Sequence, residues 1–541
     1  MATVYGIDLG TTNSCIAKCD ESGVPQALRP EGETYGRDYD RDYCLPSIVY
    51  FDEDGTPIVG EDAKVHLTTK DKSERTFSNF KRSLSKKVCE TEDATNSFSP
   101  IEGSAYVLHK LLEMVPQNEH PIEAVISIPA SYVSDQRQYV KTAARLAGIE
   151  VLGLIHEPTA AALCYGLLNS QGEKRKFNSG ETVLVFDLGG GTLDVSVVKN
   201  NAGKYEVLGL ASDESVFGEG NHIGGINWDN ILVKLVAARK NIDLENLPKH
   251  KLEFLRQNAE QCKRRWTNST QTAAMKYDYE EDINIEYADF KEMSNLLLNK
   301  CVEVVNAAIE DANKECKKKD GKEVIIDYFI MAGGSSNLKM IKKVLIDKFR
   351  GRIGNNASDE DWLRLIERPE SAIAKGAALK AYRLKNGIDV GVEEKSSHSY
   401  GTLYEDKEGH TCLKNLILKS DPMIFKSKEI KFSKKEVEKE SIVLDIYENE
   451  YNEGTIVLKG NEHTKDGGNK LRRIDNHQKL KLDNTFSWKV SRDRDGVISI
   501  CVSDGKNSQS YEIDPTISNE VIERIEHNVE LMDEYISKYN E

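Results

Sequence analysis

Two stretches of this 541-residue chain share one grammar: a short apolar run, a carboxylate, then glycines and hydroxyls. The first is Gly6-Ile7-Asp8-Leu9-Gly10-Thr11-Thr12-Asn13-Ser14, and the second is Phe186-Asp187-Leu188-Gly189-Gly190-Gly191-Thr192-Leu193-Asp194. Glycine lets backbone N–H groups approach a phosphate, threonine adds a hydroxyl donor, and aspartate can hold a hydrated Mg²⁺. A single Asp-x-Gly also marks ordinary hairpin turns. Two such turns, almost a domain apart, point to a duplicated fold that clamps one nucleotide between its halves.

A chain this long exceeds one ordinary core and predicts three or more folding units. Its composition, 39% hydrophobic and 30% charged, is that of a soluble globular protein. A formal net charge of −16 argues against a general nucleic-acid binder, whose affinity comes from neutralising phosphates. No stretch reads as a membrane span, and a first strand expected from Thr3 leaves no room for a signal peptide. The ten cysteines are scattered, with no Cys-x-x-Cys pair and no zinc-spaced histidines, which fits reduced thiols in a cytoplasmic protein. Cys15 beside the first turn reads as small buried filler, with redox sensitivity as the alternative.

Up to about residue 385, β-type apolar runs alternate with helical stretches, the pattern of an α/β architecture. Val125 to Pro129 predicts a strand, Ser134 to Leu146 a helix ended by Gly148, and Val183 to Phe186 a strand leading into the second turn. Asp194 to Val198 continues as its hairpin partner. Ile231–Ala238, Lys251–Trp266 and Phe290–Cys316 predict helices, and Ile325 to Met331 a buried strand ending in Ala332-Gly333-Gly334-Ser335. After Lys385 the pattern changes. Residues 386–397 are polar and helix-poor, with Ile388, Val390 and Val392 alternating. From Tyr400 to Ile513 the period is two, broken by Gly, Asn and Asp, and Asp495-Gly496 is a hairpin signal. An apolar stripe at Val521, Ile522, Ile525, Val529, Met532 and Ile536 predicts a final amphipathic helix.

The run Ala124-Val125-Ile126-Ser127-Ile128-Pro129-Ala130, followed by Asp135-Gln136-Arg137-Gln138, resembles the seventy-kilodalton heat-shock chaperones of the DnaK type. So does Leu154-Ile155-His156-Glu157-Pro158-Thr159-Ala160-Ala161-Ala162, close to a family signature. The two phosphate turns and Ala332-Gly333-Gly334-Ser335 belong to the same set. The resemblance is strong over the first 385 residues and weak beyond them. It implies an actin-like two-lobed ATPase domain over 1–385 and an interdomain linker over 386–397. A β-sandwich peptide-binding domain would follow over 398–515, and a short C-terminal helix over 516–541.

By that resemblance, Asp8, Glu157 and Asp187 hold Mg²⁺ mostly through water. Gly10, Thr11, Thr12, Asn13, Gly189, Gly190, Gly191, Thr192, Asp194, Gly224 and Gly225 would cradle the phosphates of ATP or ADP. Lys81 matches the catalytic lysine, which positions the attacking water and neutralises developing charge. Asp187 or Asp194 could polarise that water, although Mg²⁺ binding alone explains either carboxylate. Glu260, Lys263, Arg264 and Thr267 share one helical face. Spacing alone makes that face a solvated charged surface, whereas the resemblance makes it the adenosine site, joined by Gly333, Gly334, Ser335, Asn337 and Glu370. Pro129 and Arg137 match a relay to the interdomain contacts; a strand-ending proline and a helix salt bridge are the plainer readings.

The chain departs from the family in places. Asn337 stands where a second arginine usually covers the adenine. The linker reads Gly387-Ile388-Asp389-Val390-Gly391-Val392-Glu393 rather than a leucine run, although three alternating apolar residues can still add a strand to the ATPase domain. One helix stands where the family has a multi-helix lid, so a truncated lid and faster substrate release are expected. Phe432, Ile442 and Leu444 match an apolar peptide pocket or ordinary sandwich core, with Lys435 and Thr402 replacing expected apolar residues.

The sequence therefore predicts a cytoplasmic, ATP-hydrolysing chaperone that binds extended hydrophobic segments of unfolded proteins. A J-domain co-chaperone and a nucleotide exchange factor are its expected partners, with no nucleic acid and no membrane. The alternative is a non-hydrolysing, nucleotide-clamped holdase, or an exchange factor for another chaperone. A small-molecule kinase or an actin-like filament is disfavoured by the β-rich region after residue 385.

Overall fold

The computed structural model describes residues 3–29, 44–84, 98–168, 177–218, 220–266, 271–350, 362–366, 368–389, 391–394, 396, 398–405, 408–419, 421, 424–427, 430–431, 441–442, 446–449, 454–457, 471–474, 480–481, 487–503, 508–512 and 519–540. They fall into two compact units. One gathers Met1–Ala130, Ala143–Val392 and Asn519–Glu541, and the other gathers Ser131–Thr142 and Glu393–Ser518.

The first unit contains two large mixed sheets built on the same plan. In one, β1 (Val4–Asp8) forms an antiparallel hairpin with β2 (Asn13–Cys19) and pairs in parallel with β3 (Ile122–Ile128), which pairs in parallel with β4 (Ile149–His156). In the other, β5 (Thr182–Leu188) forms a hairpin with β6 (Leu193–Asn201), which pairs antiparallel with β7 (Lys204–Ser212). On its other side β5 pairs in parallel with β8 (Tyr328–Ala332). The duplication expected from the two turns is thus present in the strand order, and each turn is the loop of its sheet's hairpin.

Central strands with parallel neighbours are covered on both faces and need continuous apolar runs. β5 has one: Val183 and Val185 face a core shared with α2 (Glu157–Leu168), while Leu184, Phe186 and Leu188 face a second core. That second core includes residues of α3 (Gly225–Lys240) and α4 (Lys249–Arg265). The helix α5 (Pro369–Lys385) packs on β1 and α2 through small residues. A Cβ at Gly376 would stand 1.9 Å from the Ala160 carbonyl oxygen, so α5 and α2 meet backbone to backbone.

Two expectations need correction at their edges. The strand expected from Ile325 begins at Tyr328, and Ile325 is 73% exposed. Asp327 turns the chain there, its carboxylate and N–H bonding the N–H and C=O of Thr182. The helix expected to start at Phe290 is divided at Ser294, between Tyr287–Met293 and Asn295–Asp320. Of the three alternating residues of the linker, Val392 reaches the edge of the second sheet beside β7, with Tyr205 N–H donating to Gly391 O at 2.6 Å; Ile388 is exposed and Val390 lies outside the described residues.

The last helix, α6 (Asn519–Asn540), carries the expected amphipathic stripe, with Ile525 and Met532 buried. It packs on the earlier helix Pro100–Leu112: Asn528 donates to the Tyr106 hydroxyl at 2.8 Å, and Arg524 grips the buried Glu102 through two nitrogens, at 2.5 and 2.8 Å. No described helix is long and apolar enough to cross a membrane.

The second unit is mainly antiparallel β. One five-stranded sheet runs Thr455–Val457, Thr411–Ile417, Ser399–Glu405, Ile446–Asn449, Leu471–Ile474. Another sheet is built round Ser487–Arg492 and Ile498–Ser503, joined by the expected Asp495-Gly496 hairpin with Gly496 at φ +80°.

Candidate functional site

Both turns wall one cavity of about 460 Å³. Gly10, Thr11, Thr12 and Asn13 line it from the first turn, and Asp187, Gly189, Gly190, Gly191 and Thr192 from the second. The turns come together because the second carries no side chains at the contact. A Cβ on Gly190 would lie 2.0 Å from Thr12 Oγ1, and one on Gly191 2.3 Å from Thr11 Oγ1. Only glycine permits that approach.

Each turn is braced by its neighbours, several of which, Ser47 and Arg82 among them, also line the cavity. In the first, Gly10 N–H donates to Ser14 Oγ at 3.1 Å, Ser14 and Ser47 hydroxyls lie 2.9 Å apart, and Ser47 Oγ donates to Gly10 O at 2.8 Å. In the second, Gly189 N–H closes onto Thr192 O at 3.1 Å, and Gly225 and Ile226 N–H donate to Gly189 and Gly190 O, each at 3.0 Å. Arg82 then forks onto it: Nε and Nη2 both donate to Gly191 O, the former at 3.0 Å, and Nη2 reaches Asn227 Oδ1 at 3.1 Å. Sequence reasoning missed Ser47 and Arg82. The second stands beside Lys81 in a basic pair, a signal too common to single it out.

Acidic groups dominate the floor. Lys81 Nζ lies 2.6 Å from Glu157 Oε1, and both side chains are under a tenth exposed. Asp8 Oδ1 accepts from Ser127 Oγ at 2.8 Å. Burial, then the nearby Glu157 charge, pushes the Asp8 carboxyl up to about 7 against the opposing pull of Lys81 and Ser127. Burial, then Glu157 and Asp8, likewise holds Asp187 well above the usual carboxylate range. Thr12 Oγ1 and Asp187 Oδ2 are buried without a protein partner. Buried carboxylates around a single ammonium, with two orphaned oxygens, suit a divalent cation beside an anionic ligand. Among the described residues no three His, Cys, Asp or Glu side chains converge as a ready metal cage.

The rest of the wall holds most of the residues expected around adenosine. Glu260, Lys263 and Arg264 line it from α4, Gly333, Gly334, Ser335 and Asn337 from the turn after β8, and Glu370 from the start of α5. Gly333 has φ +74°, and a Cβ there would meet Leu188 O at 2.3 Å. Lys263 is a brace as well as a wall residue: Nζ sits 2.8 Å from Asp229 Oδ1 and donates to Gly225 O at 3.0 Å. Burial pushes Asp229 up to about 6, with Lys263 opposing. Arg264 Nε lies 3.3 Å from Glu260 Oε1. Arg256 and Gln257, one turn earlier on α4, also line the cavity, with Arg256 Nε and Gln257 Nε2 buried and unpartnered. Their i−4 and i−3 spacing from Glu260 was the available signal. Thr267 lies outside the described residues.

Other expected residues stand apart from this wall. Asp194 is buried and accepts Ala130 N–H, next to Pro129, at 3.2 Å; neither it nor Gly224 lines the cavity. Arg137 belongs to the second unit, donating through Nη1 to Asp495 O at 3.0 Å and through Nε to Tyr132 O at 2.9 Å. Of the peptide-pocket residues, Phe432 and Leu444 lie outside the described residues. Ile442 is in the short strand Ser441–Ile442, opposite Leu480.

The family profile described as Hsp70 protein matches residues 4–94 and 85–514. The chain is 33% identical over 417 residues to the chaperone protein DnaK of Prochlorococcus marinus (strain MIT 9515). That alignment covers 70% of this chain and 59% of the relative, so the match spans about three fifths of the relative's length.

Proposed function

Because this chain belongs to the Hsp70 family, we propose that it is an ATP-dependent molecular chaperone, hydrolysing ATP to ADP and phosphate and thereby switching its affinity for extended polypeptide. The observation that carries this reading is the meeting of two glycine turns over the Lys81–Glu157–Asp8–Asp187 floor. The N–H groups and hydroxyls of the turns suit the β- and γ-phosphates. A magnesium ion held by Asp8, Glu157 and Asp187 through water would neutralise phosphate charge. Lys81, held in contact with Glu157, would orient the attacking water and stabilise charge developing on the transferred phosphoryl group. Asp194, fully buried, would support the turn rather than touch water.

In this reading residues 1–385 are the actin-like ATPase domain, 386–397 the linker, 398–515 the β-sandwich and 516–541 a helix docked on the first of these. Phe432, Ile442 and Leu444 would form the peptide pocket. Pro129 and Arg137 would carry coupling, and the edge strand at Val392 gives the linker a place to act. Unfolded segments, a J-domain protein and a nucleotide exchange factor are the proposed partners, in the cytoplasm.

Steady-state ATP turnover of wild type and Lys81→Ala, each with and without an extended hydrophobic peptide, tests the proposal. Peptide-stimulated turnover is expected, with a loss of about 100-fold or more in the variant. ATP bound without turnover in wild type would instead make the chain a holdase or exchange factor.

A further inference from the structure

One carboxylate outside the cavity wall joins two segments that flank the phosphate cradle. Asp213 opens the short helix Asp213–Phe217 after β7 and is 1% exposed. Its Oδ2 accepts Leu193 N–H at 3.0 Å and Ile223 N–H at 2.6 Å, and its Oδ1 accepts Glu214 N–H at 2.8 Å. Leu193 directly follows Thr192, the last residue of the second glycine turn. Ile223 directly precedes Gly224-Gly225, where α3 begins and returns Gly225 N–H to Gly189 O. The second turn and the start of α3 are therefore tied at one end by backbone bonds and at the other by a shared carboxylate oxygen. The neighbouring Glu214 secures the intervening loop, accepting Gly220 N–H at 2.9 Å and lying 3.6 Å from His222 Nε2.

A buried carboxylate could serve stability alone. This one differs in where its donors lie: both long-range donors adjoin the turn or the helix start that face the cavity, and neither donor is itself a residue of the adenosine wall. Three backbone N–H groups converging on one buried carboxyl are bonds with fixed directions, so such a group fixes the path of the backbone as well as its stability. Phosphate recognition by a glycine turn depends on that path, because the ligating groups are the backbone N–H groups themselves.

We propose that Asp213 is a positioning residue for the nucleotide phosphates, holding the second glycine turn and the start of α3 in the spacing that receives them. The inference rests on the nucleotide reading above and assigns to that site a residue that never touches ligand. Its loss weakens binding of phosphates and spares binding of the nucleoside.

The test is calorimetric titration of the full chain, in magnesium, with ATP, ADP and adenosine, for wild type, Asp213→Ala and Asp213→Asn. Asp213→Ala leaves two buried N–H groups unpaired and is expected to weaken ATP and ADP about tenfold, with adenosine unchanged within about twofold. In Asp213→Asn the amide oxygen can still take the two N–H groups that converge on Oδ2, so a smaller loss, roughly threefold, is expected, again confined to ATP and ADP. An equal fall for adenosine and ATP, or unchanged ATP affinity, overturns the proposal. Should Asp213→Ala fail to fold, the same comparison in Asp213→Asn decides it. A wild type that binds no ATP overturns the nucleotide reading and this inference together, whereas a normal wild type with indifferent variants overturns this inference alone.

Discussion

The first glycine turn is held by hydroxyls that do not titrate and the second by ionisable side chains. Ser14 and Ser47 stitch Gly10 to the strand that follows, using groups with no charge to desolvate. Arg82 and Asp213, both mostly buried, grip the second turn from two sides, one donating to Gly191 O and the other accepting from Leu193 N–H. The sheets behind the turns are copies of one plan, yet their supports are not. Backbone topology sets where a phosphate turn falls, while the bracing chemistry is free to vary and should set how each turn answers mutation and pH.

The largest expected effect strikes where the turns meet. Gly191→Ala would place a methyl 2.3 Å from Thr11 Oγ1 and 2.7 Å from its Cβ and Cγ2, so one turn must move. ATP affinity is expected to fall by about 100-fold, with partial recovery in the double variant that adds Thr11→Gly and removes all three clashing atoms. An ATP titration of Gly191→Ala matching wild type would mean that the turns separate freely in solution.

Titration distinguishes the two braces next. Burial pushes Asp213 up to about 7, only partly offset by the N–H bonds it accepts. Around it stand Glu214, which His222 approaches, and Arg82, Asp194 and Cys301. A raised carboxyl means the folded protein holds a proton that the unfolded chain releases near pH 4. Its stabilising contribution is therefore complete below about pH 4 and is lost as pH rises through about 7. Between about pH 5 and 8 wild type should lose a few kcal/mol, on the order of 2 to 3, relative to Asp213→Asn, which cannot titrate there. Calorimetric melting of the two nucleotide-free proteins across that range reads it. A Ser47→Ala protein keeps the wild-type slope, and a parallel pH response in Asp213→Asn would contradict the assignment.

Arg82→Ala should cost about 2 kcal/mol in ATP binding, since it leaves the Gly191 carbonyl without its charged donor. Arg82→Lys should recover only part, because a single ammonium cannot reproduce the fork to Gly191 O and Asn227 Oδ1. Full recovery with lysine would show that charge, rather than the fork, does the bracing.

These contrasts also mark how far the chain could be read without coordinates. The turns, the α/β alternation, the Asp495-Gly496 hairpin and the stripe of α6 were legible because each is a local pattern: a glycine cluster, a period or a dipeptide. Arg82, Asp213 and Ser47 were not, because what defines them is a partner distant along the chain. The Arg82 acceptor is 109 residues away, and the Ser47 hydroxyl reaches back 37 residues to Gly10. Lys263 shows the converse. Helical spacing alone made its face of α4 a solvated surface and only the family resemblance turned it inward; it lines the cavity, and neither signal could show that Asp229 and Gly225 engage its ammonium. Ile325 was read into a strand from its apolar company, and the Asp327 bonds to Thr182 leave it outside in solvent.

The smallest effect belongs to the neutral brace. Ser47→Ala removes one hydroxyl that donates to Gly10 O and contacts Ser14 Oγ, while Ser47 N–H, which donates to Thr12 O at 2.9 Å, is untouched. Ser14 Oγ keeps the Gly10 N–H as a partner, so no charge is stranded and one neutral bond is lost. The cost should be about 1 kcal/mol, a fall of roughly fivefold in ATP affinity, with no dependence on pH between about 5 and 8. Combining Ser47→Ala with Arg82→Ala sharpens the comparison further. If the turns are braced independently, the two losses add. If the contact of Thr11 and Thr12 with Gly191 and Gly190 transmits one brace to the other, the double variant departs from the sum by about 0.5 kcal/mol or more, and a double-mutant cycle on ATP affinity reads the difference directly.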